Sequence, residues 1–284
     1  MVWNKGVYRH EKVLTPIFFE KHNNLTNKEI SKLVGIDHNV VRRYRLRLGK
    51  NSALGRALVN AQKMRKLTLP DYLVGAIIGT MLGDANLILN NQGNARLRIR
   101  HAPKQREYVE LKYRLFSPLC TRLPLYRQHG IGFSTVWHPT LTELYGLFYK
   151  DGRKRITQDI LDGLTVPGLC LWFYDDGGKE ILSTCNFTLD EIKLARQHLY
   201  RQFGIKTTPM RKSNGKKYYW YLYFAKGTRH ILGKYLNDFY IPCFDYKVRN
   251  FTGSSETARG NLWGNLIDKI QSELMGDHES IVET

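Results

Sequence analysis

The chain contains two apolar segments that carry no charge until each reaches an aspartate. Residues 73–85 read LVGAIIGTMLGDA, and residues 167–178 read PGLCLWFYDDGG. Both segments have the composition of a buried helix, so each places an aspartate at the helix C-terminus. That end carries a partial negative charge, and a carboxylate there costs about 0.3 to 1 kcal/mol. Asp84 and Asp176 are therefore unfavourably placed carboxylates at corresponding ends of the two predicted helices.

A bound cation would reverse the sign of this unfavourable interaction at both helix ends. Gly79 and Gly83 would let the two helices approach closely and bring both carboxylates to one seam. Carboxylates beside backbone oxygens form the hard oxygen site that suits Mg²⁺. The alternative is that each aspartate caps the turn into the following loop. Recurrence at two corresponding places favours the metal site.

The segments around these helices recur in the same order. In the first copy, helical and strand patterns are predicted at 71–83, 87–89, 96–100, 107–119, 132–137 and 141–150. In the second copy, a helix is predicted at 167–175, followed by strands, a helix at 190–203, strands at 206–210 and 216–224, and a helix at 228–238. This order indicates an internal duplication of an α/β unit.

The two apolar segments resemble the paired motifs of the LAGLIDADG homing endonuclease family, in its single-chain form with two motif copies. Gly79 and Asp84 match the first copy. Asp176 and the glycine after it match the second copy, with Asp175 in the position of a small residue.

The flanks of the second copy extend this resemblance to the intron-encoded, single-chain branch of the family. Residues 172–179 read WFYDDGGK and residues 240–247 read YIPCFDYK, and both stretches are similar to that branch. The resemblance covers about residues 70–250. The chain departs from the motif at Ala85, which replaces a glycine, and at Leu171, which replaces a small residue.

The resemblance implies an α+β fold of two αββαββα units related by a pseudo-twofold axis, with antiparallel sheets that form a saddle over DNA. Asp84 and Asp176 are then the expected ligands of divalent ions, together with Gly83 and Asp175. Mg²⁺ is the expected cofactor; Mn²⁺ should substitute for it, and Ca²⁺ should bind without supporting cleavage. Two motif copies in one chain imply a monomer.

Basic residues near the site of that family assist the attacking water or the phosphate. The sequence similarity to the family implies these catalytic roles for Lys154 and Lys247. The match at Lys154 needs a one-residue gap, so Arg153 or Arg155 could take its place.

Basic residues on alternate strand positions favour such a DNA-binding surface independently of the resemblance. Arginines alternate with apolar residues in 96–100, so one face of that strand is cationic. Residues 211–223 combine basic and aromatic side chains, although the tyrosines could instead pack against each other. The residues expected to bind DNA on the two sheets are Arg96, Arg98, Arg100, Arg211, Lys212, Lys216, Lys217, Tyr219 and Tyr221.

The first 66 residues look like a separate basic module, because they hold 15 Lys or Arg and only 4 acids. Thr26 and Glu29 form a capping-box pattern, Gly35 suits a tight turn, and Asp37 can cap a second helix. This predicts a helix-turn-helix whose second helix reads DNA. A helical hairpin with a solvated basic face is the alternative. The predicted DNA-reading residues are Asn39, Arg42, Arg43, Arg45 and Arg47.

These patterns predict three parts of the chain. The parts are a helix-turn-helix domain at 1–50, a basic linker helix at 51–69, and an endonuclease domain at 70–284 with repeats at about 70–160 and 161–250 and a tail from 251.

The overall composition indicates a polyanionic partner. The 284 residues include 44 Lys or Arg against 25 Asp or Glu, for a formal net charge of +19. No apolar run is long enough to cross a bilayer, and the N-terminus lacks the pattern of a secretory signal, so an intracellular protein without membrane partners is expected. The 4 cysteines are scattered, which predicts neither a disulfide framework nor a structural zinc.

These features together predict an endonuclease that uses a divalent metal to hydrolyse both strands of a long, asymmetric DNA site. One alternative is an intron RNA maturase, a splicing cofactor, because some members of the family bind the folded intron that encodes them. A second alternative is a non-cleaving helix-turn-helix transcription regulator. Such regulators tend to lose the motif acids, and this chain has both.

Overall fold

The computed structural model describes residues 10–50, 53–128, 130–213, 215, 217–252 and 260–275. It divides into two compact units, of which the first ends at Lys63 and the second begins at Met64. The predicted boundaries at 50/51 and 69/70 lie on either side of this division. Within these described ranges, every helix is too short or too polar to span a membrane.

The first unit is helical. Thr26 caps the second helix by accepting a hydrogen bond from the Glu29 amide, and the Glu29 carboxylate accepts one from the Thr26 amide, so the predicted capping box is present. Gly35 ends that helix in the left-handed conformation, with φ of 67°, and Asp37 caps the next helix. The helices are α1 (Pro16–Lys21), α2 (Asn27–Val34), α3 (His38–Arg47) and α4 (Ala53–Met64), and the last residue of α4 is the first of the second unit.

The first copy of the duplicated unit follows the order αββαββα. Its elements are α5 (Asp71–Leu82), β1 (Asn86–Leu89), β2 (Ala95–His101), α6 (Arg106–Phe116), β3 (Leu125–Arg127), β4 (Gly130–Ser134) and α7 (Pro139–Phe148). A hairpin of two short strands and a short helix lead to the second copy. The sequence prediction did not include them. They are β5 (Tyr149–Lys150), β6 (Arg153–Lys154) and α8 (Gln158–Asp162).

The second copy repeats the order αββαββα, and two further helices follow it. Its elements are α9 (Val166–Asp176), β7 (Gly177–Gly178), β8 (Ile181–Ser183), α10 (Leu189–Phe203), β9 (Thr207–Ser213), β10 (Tyr218–Phe224) and α11 (Arg229–Asp238). The helices after it are α12 (Asp245–Thr252) and α13 (Leu262–Met275).

Each copy builds one four-stranded antiparallel sheet with the same topology. The strand order is β1-β2-β4-β3 in the first sheet and β7-β8-β10-β9 in the second. In β2, Leu97 and Ile99 are buried while Arg98 and Arg100 are exposed, because successive side chains of a strand point to opposite faces. The predicted α+β fold of two αββαββα units is confirmed.

Helices α5 and α9 pack side by side and run in the same direction. Gly75, near the start of α5, faces Thr165, whereas Gly83, at its end, faces Asp175. The backbones approach so closely that a Cβ added at Gly79 would overlap the backbone of Gly168. Glycine at these positions therefore permits the packing that brings both helix C-termini to one place.

The described part of the predicted tail belongs to the second unit. Helix α13 packs against α6 of the first copy. At its start, the indole Nε1 of Trp263 donates to the carbonyl of Phe239 over 2.9 Å, and near its end Glu273 accepts a hydrogen bond from the Tyr72 hydroxyl. Helix α13 thus packs back against the first copy.

Candidate active site

The C-termini of α5 and α9 open into a cleft of about 620 Å³. Asp84, two residues after the end of α5, and Asp176, the last residue of α9, both line it. Lys154 also lines the cleft, as do Lys217 and Tyr219 of the second copy. The cleft lining thus contains both aspartates and Lys154, and Lys247 binds the carbonyls of Tyr174 and Asp175 at the end of α9.

The two aspartates lie in an environment that disfavours their negative charge. Burial, together with the charge of Asp175, raises the pKa of Asp84. Burial and the charges of Asp84 and Asp175 raise the pKa of Asp176 to about 7. A divalent cation would relieve this repulsion, and carboxylate oxygens are its preferred ligands. The donor set and its unfavourable charge therefore fit a metal site.

Lys154 and Lys247 each bind the C-terminal carbonyls of one motif helix. The Lys154 Nζ donates to the carbonyls of Met81, Gly83 and Ala85 over 2.7, 3.1 and 2.9 Å. Burial lowers the pKa of both lysines, and the neighbouring carboxylates oppose that shift. Both ammonium groups therefore lie beside the candidate metal site without forming a direct salt bridge to either Asp84 or Asp176 in the described part of the chain.

The neighbours of Lys154 have other partners. Arg153 pairs with the Glu191 carboxylate over 2.9 and 3.0 Å. Arg155 donates to the carbonyls of Leu147 and Gly146. The geometry therefore favours Lys154 over both alternatives that the sequence left open.

Asp175 has a different environment from the one expected of a metal ligand. Its side chain is fully buried and accepts hydrogen bonds from Tyr108 (2.7 Å), Lys112 (2.7 and 2.9 Å) and Thr80 (3.2 Å). It also accepts the backbone N–H of Asp84 at 3.3 Å. Protein donors already occupy this carboxylate, which argues against the predicted ligand role. Gly83 is less available than predicted as well, because its carbonyl accepts from a lysine.

Three residues of this site were absent from the sequence prediction. Lys112 and Tyr108 lie on α6, and His101 ends β2. His101 Nδ1 is 3.7 Å from Asp84 Oδ2, and burial lowers the pKa of its ring to about 4. One signal could have identified Lys112, because it occupies a core position of the helical pattern in residues 106–116.

The sheet faces carry the predicted basic and aromatic residues. Arg98 and Arg100 are exposed, whereas the Arg96 guanidinium lies 4.5 Å from the ring centre of Trp137. Strands β9 and β10 combine cations with aromatic rings. Arg211 stacks on Tyr218 at 4.2 Å, Lys212 lies 5.1 Å from Tyr221, and Lys217 and Tyr219 line the cleft. Lys216 lies outside the described residues.

The helical first unit requires one correction to its predicted DNA-reading residues. Asn39, Arg42, Arg43 and Arg47 are exposed. Arg45 is only 2% exposed, and its guanidinium donates to the carbonyls of Leu25 and His22 over 2.8 and 3.0 Å. It also lies over the ring of Phe19. The prediction that Arg45 reads DNA is therefore wrong, because its side chain holds the core of this unit together.

Comparison with known proteins gives matches over most of the second unit. The model of the LAGLIDADG DNA endonuclease family matches residues 74–232. The cytochrome b mRNA maturase bI2 of Debaryomyces hansenii is 30% identical over 200 residues, which cover 64% of this chain and 76% of that protein. A probable intron-encoded endonuclease 1 of Wickerhamomyces canadensis is 25% identical over 224 residues, 72% of this chain and 93% of that protein.

A solved structure has the same fold. It is the homing endonuclease I-WcaI bound to its DNA recognition sequence, with a TM-score of 0.59 and 22% sequence identity. The match covers 67% of this chain and 92% of that one. The family match extends over more than half of the chain and includes most of α5, all of α9, Asp84 and Asp176. This protein therefore belongs to the LAGLIDADG DNA endonuclease family.

Proposed function

We propose that this protein is a homing endonuclease that cleaves both strands of a long, asymmetric DNA site. One observation carries the proposal: two aspartates stand at the ends of paired helices in one cleft, and a lysine binds the carbonyls of each helix end. Membership of an endonuclease family and a fold shared with a DNA-bound homing endonuclease support it.

Asp84 and Asp176 are the residues that would hold the divalent cation, for which Mg²⁺ is the best candidate. Mg²⁺ bound there would stabilise negative charge on a phosphate and acidify a bound water. The raised pKa of both carboxylates supports this assignment, since neither forms a salt bridge with a lysine or an arginine among the described residues. Lys154 and Lys247 orient the helix ends and add positive charge beside the phosphate position.

The DNA would lie along the two sheets. Exposed Arg98 and Arg100 of one sheet and the cation-aromatic pairs of β9 and β10 of the other offer charge and stacking surfaces to the backbone. Since one chain carries both copies of the motif, a monomer suffices to place one aspartate at each scissile phosphate. The exposed arginines of α3 would extend the contact beyond the sheets.

An intron RNA maturase is the second candidate. The relative of Debaryomyces hansenii, named a cytochrome b mRNA maturase, favours it, and the presence of both acids does not exclude it. The same basic sheets could bind a folded RNA. A non-cleaving transcription regulator has the basic helical unit in its favour, but both motif acids and both lysines argue against it.

Incubation of the purified protein with DNA from the flanks of its gene tests the proposal. With Mg²⁺ or Mn²⁺, a duplex that holds the site should be cut into two products, whereas Ca²⁺ should permit binding only. Asp84→Asn should abolish the products. If the wild-type protein cuts no duplex but accelerates splicing of the intron RNA, the maturase function replaces this proposal.

A further inference from the structure

Lys112 is buried where its sequence pattern calls for an apolar residue. Its side chain has no exposed surface, and it shares the inner face of α6 with Tyr108, Val109, Leu115 and Phe116. Burial of an ammonium group is unfavourable unless it is paired. Replacement of a buried ion pair by apolar residues often leaves stability unchanged or increases it. Core packing alone therefore does not explain a lysine at this position.

The ammonium lies between groups that could bind a metal ion. Its Nζ is 2.7 and 2.9 Å from the two oxygens of Asp175 and 3.3 Å from Nε2 of His101. Potential ligand atoms of Asp84, His101 and Asp175 all lie within 4.8 Å of one another. The lysine thus supplies a positive charge where these three residues could otherwise surround a cation.

Asp175 transmits this contact to the Asp84 backbone. Once paired with Lys112, its carboxylate can remain buried and accept the Asp84 N–H at 3.3 Å. Gly83 makes the approach possible, since a Cβ there would lie 2.5 Å from Asp175 Oδ2. The hydrogen bond crosses from the end of α9 to Asp84, just beyond the end of α5, so it fixes the two motif ends relative to each other.

His101 transmits the contact to the Asp84 side chain. An ammonium group can only donate hydrogen bonds, so the His101 Nε2 beside it must accept. The ring then carries its hydrogen on Nδ1, which lies 3.7 Å from Asp84 Oδ2. Lys112 therefore influences Asp84 from two sides, its backbone amide and its carboxylate.

We propose that Lys112 is a positioning residue whose ammonium acts as a built-in cation: it neutralises Asp175, selects the His101 tautomer, and keeps a metal ion out of the space between them. Asp84 is thereby held in place for its role at the seam with Asp176. The inference rests on the proposed function, because it assigns Lys112 a role in orienting a proposed metal ligand.

A cobalt titration in the absence of DNA tests the built-in cation. Lys112→Ala should bind one more equivalent of Co²⁺ than the wild type, since imidazole and carboxylate ligands suit this metal. The double variant Lys112→Ala/His101→Phe should lose that equivalent. Equal stoichiometry in wild type and a Lys112→Ala variant with native circular dichroism would overturn the proposal. This measurement does not depend on DNA cleavage.

A double-mutant cycle tests the positioning role. Lys112→Met should slow cleavage about 10- to 100-fold, as loss of an orienting partner does, with DNA affinity within about threefold. Adding Asp175→Asn to this variant removes the uncompensated charge. The double variant should therefore cleave at least about tenfold faster than Lys112→Met. Wild-type cleavage by Lys112→Met, or no recovery in the double variant, would overturn the role.

The two experiments distinguish a failure of this inference from a failure of the proposed function. The charge-neutral double variant should fold even if Lys112→Met does not, and a folded double variant no faster than Asp176→Asn would also contradict the proposal. If the wild type cleaves no DNA, the proposed function fails, and the cobalt titration alone decides the role of Lys112.

Discussion

Lys154 and Lys247 make corresponding contacts at the ends of the two motif helices. The Lys154 Nζ lies 2.7 Å from the carbonyl oxygen of Met81 in α5, and the Lys247 Nζ lies 2.6 Å from that of Tyr174 in α9. A cation is favourable at a helix C-terminus, where unpaired carbonyls collect. The lysines therefore offset the electrostatic cost of placing an aspartate at the same two ends.

We expect Lys154→Met and Lys247→Met each to slow cleavage by about 10² or more, because a charge that stabilises the transition state is lost. Duplex affinity should not change, and single-turnover kinetics with a binding assay separate the two effects. The exposed Lys179 provides the control, and Lys179→Met should cleave normally. Slow cleavage in only Lys179→Met or Arg155→Met would contradict the assignment.

Asp84→Asn and Asp176→Asn should each abolish cleavage and keep DNA affinity within about tenfold, because the lost charge serves the metal site and not the DNA interface. Asp190→Asn is the matched control, since the Asp190 side chain is 91% exposed on α10. Cleavage of a target duplex and its binding in Ca²⁺ are the measurements. A cleavage rate near wild type in either motif variant would refute the ligand assignment.

The metal-free protein should lose stability as the pH rises towards neutrality. Burial and two neighbouring carboxylates raise the folded-state pKa of Asp176 to about 7, whereas an unfolded aspartate has a pKa of about 3.9. Between these values the folded state holds the extra proton, so the free energy of unfolding falls with rising pH.

Urea unfolding from pH 4 to pH 8 measures this dependence. Asp176→Asn should flatten it relative to the wild type, and a divalent ion should restore wild-type stability most strongly near pH 8, where the carboxylate is charged. Parallel pH profiles for the two proteins would show that Asp176 ionises normally.

Gly79→Ala should destabilise the second unit, because the added Cβ would overlap the backbone of Gly168 and force the motif helices apart. Overpacking of this kind costs about 1 to 3 kcal/mol. Gly146→Ala in α7 is the control: no atom lies within 4 Å of its Cβ position, so it should be neutral or stabilising. Thermal unfolding measures the melting temperatures of both variants. Equal values would contradict this packing.

The double variant Arg42→Ala/Arg43→Ala should weaken DNA binding and reduce the slope of log affinity against log salt by up to about 1.8, since each phosphate contact contributes about 0.9. Cleavage should persist, because the motif acids lie in the second unit. Arg45→Met should instead destabilise the first unit, since Arg45 is buried. An unchanged slope for the double variant would assign these arginines to a solvated face.

Local patterns in the sequence sufficed for most elements of the fold, although they did not predict the hairpin of β5 and β6 or helix α8. The capping box of Thr26 and Glu29, the alternation in β2 and the two apolar motif helices all depend on residues a few positions apart. Helical and strand periodicities therefore report them without knowledge of the tertiary structure. The motif aspartates were also recognisable, because a carboxylate at a helix C-terminus violates a local rule.

The tertiary structure alone decided which charged side chains are buried and what they contact. Lys112 meets an aspartate 63 positions away in sequence, and Arg45 meets carbonyls 20 and 23 positions away. Neither pairing leaves a periodic signal, because a polar group is stable inside a protein only when the whole fold supplies its partners. The sequence by itself thus determined the motif helices and their two acids, whereas long-range packing determined the network that surrounds them.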